Sequence, residues 1–95
     1  ALMIDTVLAW NHEAVPAKFD ELAHAAGVAG GGAAFVPWLK ALKARIGIGS
    51  RLAAHGVRAE QLPRLAELAV ADFTNGTNPR PATAADYERL LRQAM

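Results

Sequence analysis

Ninety-five residues, with ten Lys plus Arg, nine Asp plus Glu and no cysteine, are enough for one modest core and too few for two ordinary domains. A net charge of +1 supplies no strong field for nucleic acid or an anionic membrane, and the missing cysteines exclude disulfides and thiolate metal sites. With 53% apolar and 20% charged residues, the composition is that of a folded chain. Its 22 Ala and 11 Leu against nine Val plus Ile predict an all-α fold.

In chain order, Ala1 to about Asn11 reads as a helix with Leu2, Val7 and Trp10 among its apolar positions. It carries Asp5 and has no basic flank, so it is neither a signal peptide nor a membrane span. The first residue is Ala, without a cap before it, for which a truncated or excised segment is one explanation. Asn11-His12-Glu13 suggests a turn, and Pro16 suits the first turn of a second helix. Phe19, Leu22, Ala23 and Ala26 share one face of that helix, and Gly27 ends it. Gly30-Gly31-Gly32 reads as a flexible connection. A third helix runs from about Ala34 to Ile46, with Phe35, Trp38, Leu39, Leu42 and Ile46 as its apolar stripe and Lys40, Lys43 and Arg45 facing water. Leu52–His55 holds at most a turn or two. A fourth helix covers about Ala59 to Ala71, with Leu62, Leu65, Ala66 and Ala69 on one face. Residues 72–82 contain Asn75-Gly76 and Asn78-Pro79-Arg80-Pro81, which leaves no regular element there. Thr83 and Asp86 have the spacing of a capping box, and Tyr87, Leu90, Leu91 and Ala94 form the apolar face of a last helix. The expected architecture is a bundle of about five helices.

Few residues point to chemistry. His12, His24 and His55 have no partners at metal-ligand spacing, and His24 with Asp20 and Glu21 reads as a solvated charged patch. The glycine triplet lacks the strand and the Lys-Ser/Thr of a phosphate loop. Ser50 is the single serine and has no base close in sequence. Arg58, Arg64, Arg80, Arg89 and Arg92 could line a basic surface, but Glu60 and Glu67 interrupt it. The loop at 72–82 is the most informative stretch. Pro79 restricts Asn78 to an extended conformation, Asn75-Gly76 permits a tight turn, and Arg80 offers a planar fork for carbonyls or a carboxylate. On these features alone, a stiff connection and a site-lining loop are equally good readings.

The run Asp72-Phe73-Thr74-Asn75-Gly76-Thr77-Asn78-Pro79-Arg80-Pro81-Ala82-Thr83, followed by Ala84-Ala85-Asp86-Tyr87 and an amphipathic helix, resembles the C-terminal end of iron-containing (group III) alcohol dehydrogenases. Ile46-Gly47-Ile48, Arg51-Leu52, Gly56-Val57 and Leu62-Pro63 resemble the segment before it, and Ala1–Ile4 through Ala26-Gly27 the stretch after the family's last metal histidine. Where the family commonly has Pro-His, this chain has Asp5-Thr6.

The resemblance implies the C-terminal part of the helical metal-binding domain of the dehydroquinate-synthase-like, iron alcohol dehydrogenase fold. The parent would be an NAD(P)-dependent oxidoreductase interconverting alcohols and aldehydes or ketones. It would hold Fe(2+), or Zn(2+) in some relatives, with the metal polarising the substrate oxygen. The metal ligands and the dinucleotide-binding domain would lie before residue 1, so the segment alone is expected to be inactive and to carry neither metal nor cofactor. Its partners would be those missing parts of the same chain, a small alcohol or aldehyde substrate and a second copy in a homodimer, with no nucleic acid and no membrane, in the cytoplasm. In the resemblance, Phe73, Thr74 and Asn75 form the substrate-pocket loop, while Asn78 and Arg80 fix it. The competing reading is a free-standing helical interaction module, with weak nucleic-acid binding as one form of it. The residues leave the substrate and the choice of NAD or NADP open.

Overall fold

The computed structural model describes residues 1–95 and contains helices only. The five α-helices are α1 (Ile4–Ala14), α2 (Pro16–Ala25), α3 (Gly32–Arg45), α4 (Leu62–Ala71) and α5 (Ala84–Gln93). Single 3-10 turns lie at Ala53–His55, Ala59–Gln61 and Phe73–Thr77. The chain gathers into two compact units, Ala1–Gly49 and Ser50–Met95, each with its own small core.

In the first unit, α1 continues through the expected turn at Asn11–Glu13 as far as Ala14. What stops it is Pro16, whose ring drives Val15 out of the helical region, to φ −134° and ψ 56°, and then begins α2 at its first turn. On α2, Phe19 and Ala23 are buried, at 2% and 1% exposure, whereas Leu22 on the same predicted face is exposed. The covered strip is narrower than the periodicity suggested. Phe19 anchors a row of rings: His12 meets it edge-on at 5.1 Å, Phe35 lies 6.1 Å away, and Trp38 follows 5.7 Å from Phe35. The Phe19–Phe35 pair is edge-to-face, an arrangement that adds about 0.5–1.5 kcal/mol beyond its buried area, and Trp38 lies tilted against Phe35.

Two further features depart from the sequence reading. Gly32 is the first residue of α3 and sits against the backbone of α2. A Cβ there would fall 2.8 Å from both the Asp20 amide nitrogen and the Phe19 carbonyl carbon, so only glycine fits. The Asp20 carboxylate accepts a hydrogen bond from the Gly32 amide at 2.7 Å, satisfying one of the orphan donors at the start of α3 from a neighbouring helix. Lys43 does not face water. It is 3% exposed, pairs with Asp5 of α1, itself 6% exposed, and donates to the Leu2 carbonyl at 2.9 Å. Lys43 lies on the stripe that continues Val36 and Leu39 by whole helical turns, and that stripe meets α1.

In the second unit, α4 packs on α5. Leu62, Ala66, Leu90 and Ala94 are at most 3% exposed, with Leu52 beside them at 7%. Fully burying Leu62 and Leu90 contributes roughly 1.5–3 kcal/mol each. The Leu52 amide donates to the Ala94 carbonyl at 2.8 Å and ties the start of the unit to its end. Gly56, at φ +81°, closes the first 3-10 turn in the left-handed conformation that side chains disfavour.

Candidate functional site

The segment from Asp72 to Thr83 is more ordered than its prolines and glycine suggested. Asp72 leaves α4 in an extended conformation, and its carboxylate accepts from the Thr74 amide at 2.8 Å and from the Thr74 hydroxyl. An aspartate so placed caps the turn that follows, which is why Phe73–Thr77 forms a 3-10 helix. The Thr77 hydroxyl donates to the Thr74 carbonyl at 2.7 Å and tightens the same turn.

Two further contacts tie this turn to the helices on either side. The Asn75 side-chain amide donates to the Val70 carbonyl of α4 at 3.3 Å, and its oxygen accepts from the Tyr87 hydroxyl of α5 at 2.6 Å. Asn78 then donates to the Arg80 carbonyl at 2.6 Å across Pro79. Thr83 begins α5 with a full capping box: the Asp86 amide donates to the Thr83 hydroxyl at 3.2 Å, and the Asp86 carboxylate accepts from the Thr83 amide at 3.0 Å. The other Asp86 oxygen accepts from Arg89 at 2.8 Å.

These contacts leave an open hollow of about 320 Å³ lined by Ala69, Asp72, Thr74, Asn75, Asn78 and Tyr87. Its groups are tuned by their neighbours. The Thr74 hydroxyl and amide hold the Asp72 carboxyl below the ordinary aspartate range. Burial, with the Asp72 charge as the lesser cause, raises the Tyr87 phenol above its ordinary value. At neutral pH the hollow therefore presents one carboxylate, one neutral phenol and two side-chain amides, a hydrogen-bonding surface with a single negative charge.

Of the residues singled out in the sequence, Thr74, Asn75 and Asn78 line this hollow. Phe73 lies outside it and is 90% exposed, and Arg80 contributes its backbone carbonyl to the loop. Asp72 and Tyr87 were not picked out as site residues. The Asp-x-Thr spacing was a legible sign of the cap, but nothing local marks Tyr87 as the partner of Asn75 twelve residues earlier. A second depression, on the outer face of α2 between Lys18, Glu21, Leu22 and Ala25, brings no such set of polar groups together.

No three His, Cys, Asp or Glu side chains of residues 1–95 gather closely enough to hold a metal ion. The His12 ring packs edge-on against Phe19. These residues by themselves do not fit an iron centre. No helix is long and apolar enough to cross a membrane.

Comparison with known proteins adds a family and two relatives. The family described as "Fe-containing alcohol dehydrogenase family, C-terminal" matches residues 1–95. Lactaldehyde reductase of Escherichia coli strain K12 is 33% identical over 101 residues, covering 99% of this chain and 26% of that protein. Lactaldehyde reductase of Escherichia coli O157:H7 matches to the same extent. The chain thus spans about a quarter of the length of these curated relatives. No solved structure matches it.

Proposed function

Because the chain belongs to the iron-containing alcohol dehydrogenase family, as its C-terminal helical part, we propose that it completes the substrate side of an NAD(P)-dependent, iron-dependent alcohol dehydrogenase that interconverts small alcohols with aldehydes or ketones. The observation that carries this reading is the family match, which runs over residues 1–95 and includes the loop at 72–82. The name of the relatives, lactaldehyde reductase, points to a short, oxygenated carbonyl compound as the kind of substrate.

Within that enzyme the chain's own part is positional. Thr74 and Asn75 form a wall toward the substrate, and Phe73 offers an apolar side chain at the rim. Asn78 and the Arg80 backbone hold the wall's shape, with Asp72 capping its turn. Iron, when bound, supplies a Lewis acid to the substrate oxygen. In this reading its ligands and the dinucleotide-binding domain belong to other parts of the enzyme; residues 1–95 gather no three His, Cys, Asp or Glu side chains that could hold the metal. Those parts are this chain's principal partners, and a homodimer in the cytoplasm is the setting this reading assigns.

The test is direct. The purified 95-residue chain is assayed for iron and zinc and for NAD(P)-linked turnover of small alcohols and aldehydes. The reading predicts neither metal at stoichiometric level nor turnover; stoichiometric iron or measurable dehydrogenase activity would sink it.

A further inference from the structure

The chain has three asparagines, and their surroundings differ sharply. Asn11 is buried within α1 at 2% exposure and is followed by His12. Asn78 is followed by Pro79, which has no amide N–H to act as a nucleophile. Asn75 is followed by Gly76, which is exposed and where even an added Cβ would meet nothing within 4 Å. An unhindered glycine amide is the best-placed backbone group to attack a preceding asparagine side chain. Yet Asn75 is held at both ends of its amide, by the Tyr87 hydroxyl at 2.6 Å and the Val70 carbonyl at 3.3 Å, and sits in a helical turn.

We propose that Asn75-Gly76 is a self-modification site, a deamidation centre kept slow by the Tyr87 hydrogen bond. The step needs only water. The Gly76 nitrogen bonds to Asn75 Cγ and loses its proton, the Cγ–Nδ2 bond breaks, and ammonia leaves carrying that proton. The resulting five-membered succinimide is opened by water at either carbonyl, giving aspartate or isoaspartate at position 75. Helical backbone turns the following amide away from the side chain, and the two hydrogen bonds oppose the rotation of the amide plane that attack requires. Loss of the Tyr87 bond therefore speeds the reaction.

The product changes the hollow. A carboxylate at position 75 has no donor for the Val70 carbonyl, so the tie between the turn and α4 is lost. It also adds a second negative charge to a wall that already carries Asp72. Isoaspartate would lengthen the backbone of the Phe73–Thr77 turn by one methylene group. Age or transient opening of α5 would thus be written covalently into the loop. The inference stands on geometry that is independent of the dehydrogenase reading, and its failure would leave that reading untouched.

The experiment incubates the protein at neutral pH and follows each asparagine by peptide mapping that separates aspartate from isoaspartate. An unstructured peptide spanning residues 72–80 is the reference. Conversion is expected at Asn75, with Asn11 and Asn78 unchanged, and severalfold slower in the protein than in the peptide. Tyr87→Phe, which keeps the ring and removes the hydroxyl, should move the rate severalfold toward that of the peptide, and Gly76→Ala should suppress it. Urea titration of the unaltered protein gives a second reading that does not depend on a variant folding: the rate should rise to the peptide's through the unfolding transition. A folded protein converting as fast as the peptide, or a folded Tyr87→Phe protein converting no faster than the parent, overturns the proposal.

Discussion

Replacing Lys43 by methionine tests how the first unit is held together. The substitution keeps most of the side-chain volume and removes the ammonium from a position only 3% exposed. Two groups lose a partner: the Asp5 carboxylate, itself 6% exposed, and the Leu2 carbonyl. Breaking one side of a buried ion pair costs about 3–5 kcal/mol, because the remaining charge stays in a site shaped for its counter-charge. A carbonyl without its donor adds about 1 kcal/mol. A 95-residue chain has a total stability of only about 5–14 kcal/mol, so the substitution removes from about a third to all of it. Asp5→Leu should cost a similar amount, for the same reason seen from the other side. The double variant Asp5→Leu with Lys43→Met should recover most of the loss, because an apolar pair replaces an ionic pair at little net cost. The assay is urea unfolding followed by tryptophan fluorescence. Both tryptophans, Trp10 and Trp38, lie in the first unit, so the signal reports that unit alone. Single variants costing under ~1 kcal/mol, as an exposed pair would, or a double variant as damaged as the sum of the singles, would refute the reasoning.

Other expectations follow from the same structure. Gly32→Ala should destabilise the first unit by about 1–3 kcal/mol, the range for overpacking, since the new methyl meets backbone of α2 and not a yielding side chain; urea unfolding measures it. Thr83→Ala should cost about 1 kcal/mol by removing the cap of α5, read as loss of helical circular dichroism at a lower urea concentration. Tyr87 is the single tyrosine, so its tyrosinate absorbance can be titrated without interference, and its midpoint should lie above the ordinary value of 10.0. The sign follows from the raised pKa: the unfolded chain ionises first, so this group's contribution is intact below pH 10.0 and is lost as pH rises toward the folded midpoint.

What could be read from the sequence was what is encoded locally. Pro16 marks the start of α2, and the Thr83-to-Asp86 spacing marks the start of α5, because proline geometry and a capping box act within a few residues. Lys43 was read as solvated because its partner lies 38 residues away, and nothing near it in sequence announces a buried charge. Gly32 passed for linker because what demands a glycine there is the backbone of α2, a tertiary neighbour. The same distinction divides the candidate site. Asn75 and Asn78 stood out through the loop's own Asn-Gly and Asn-Pro steps and Thr74 through the family resemblance, while Tyr87 enters only when α5 folds back to meet Asn75. The 3-10 turn at Phe73–Thr77 was hidden by its Asn-Gly step, although Asp72 and Thr74 carry the side chains that build it.

The central claim is that residues 1–95 serve as the C-terminal part of an iron-type alcohol dehydrogenase, and a chimera tests it most directly. The matching 26% of Escherichia coli lactaldehyde reductase is replaced by this chain, and reduction of lactaldehyde is measured beside a version truncated at the junction. The account predicts that the chimera is active and the truncated protein is not. A folded chimera that binds iron and dinucleotide yet reduces no lactaldehyde or any related small aldehyde would contradict it.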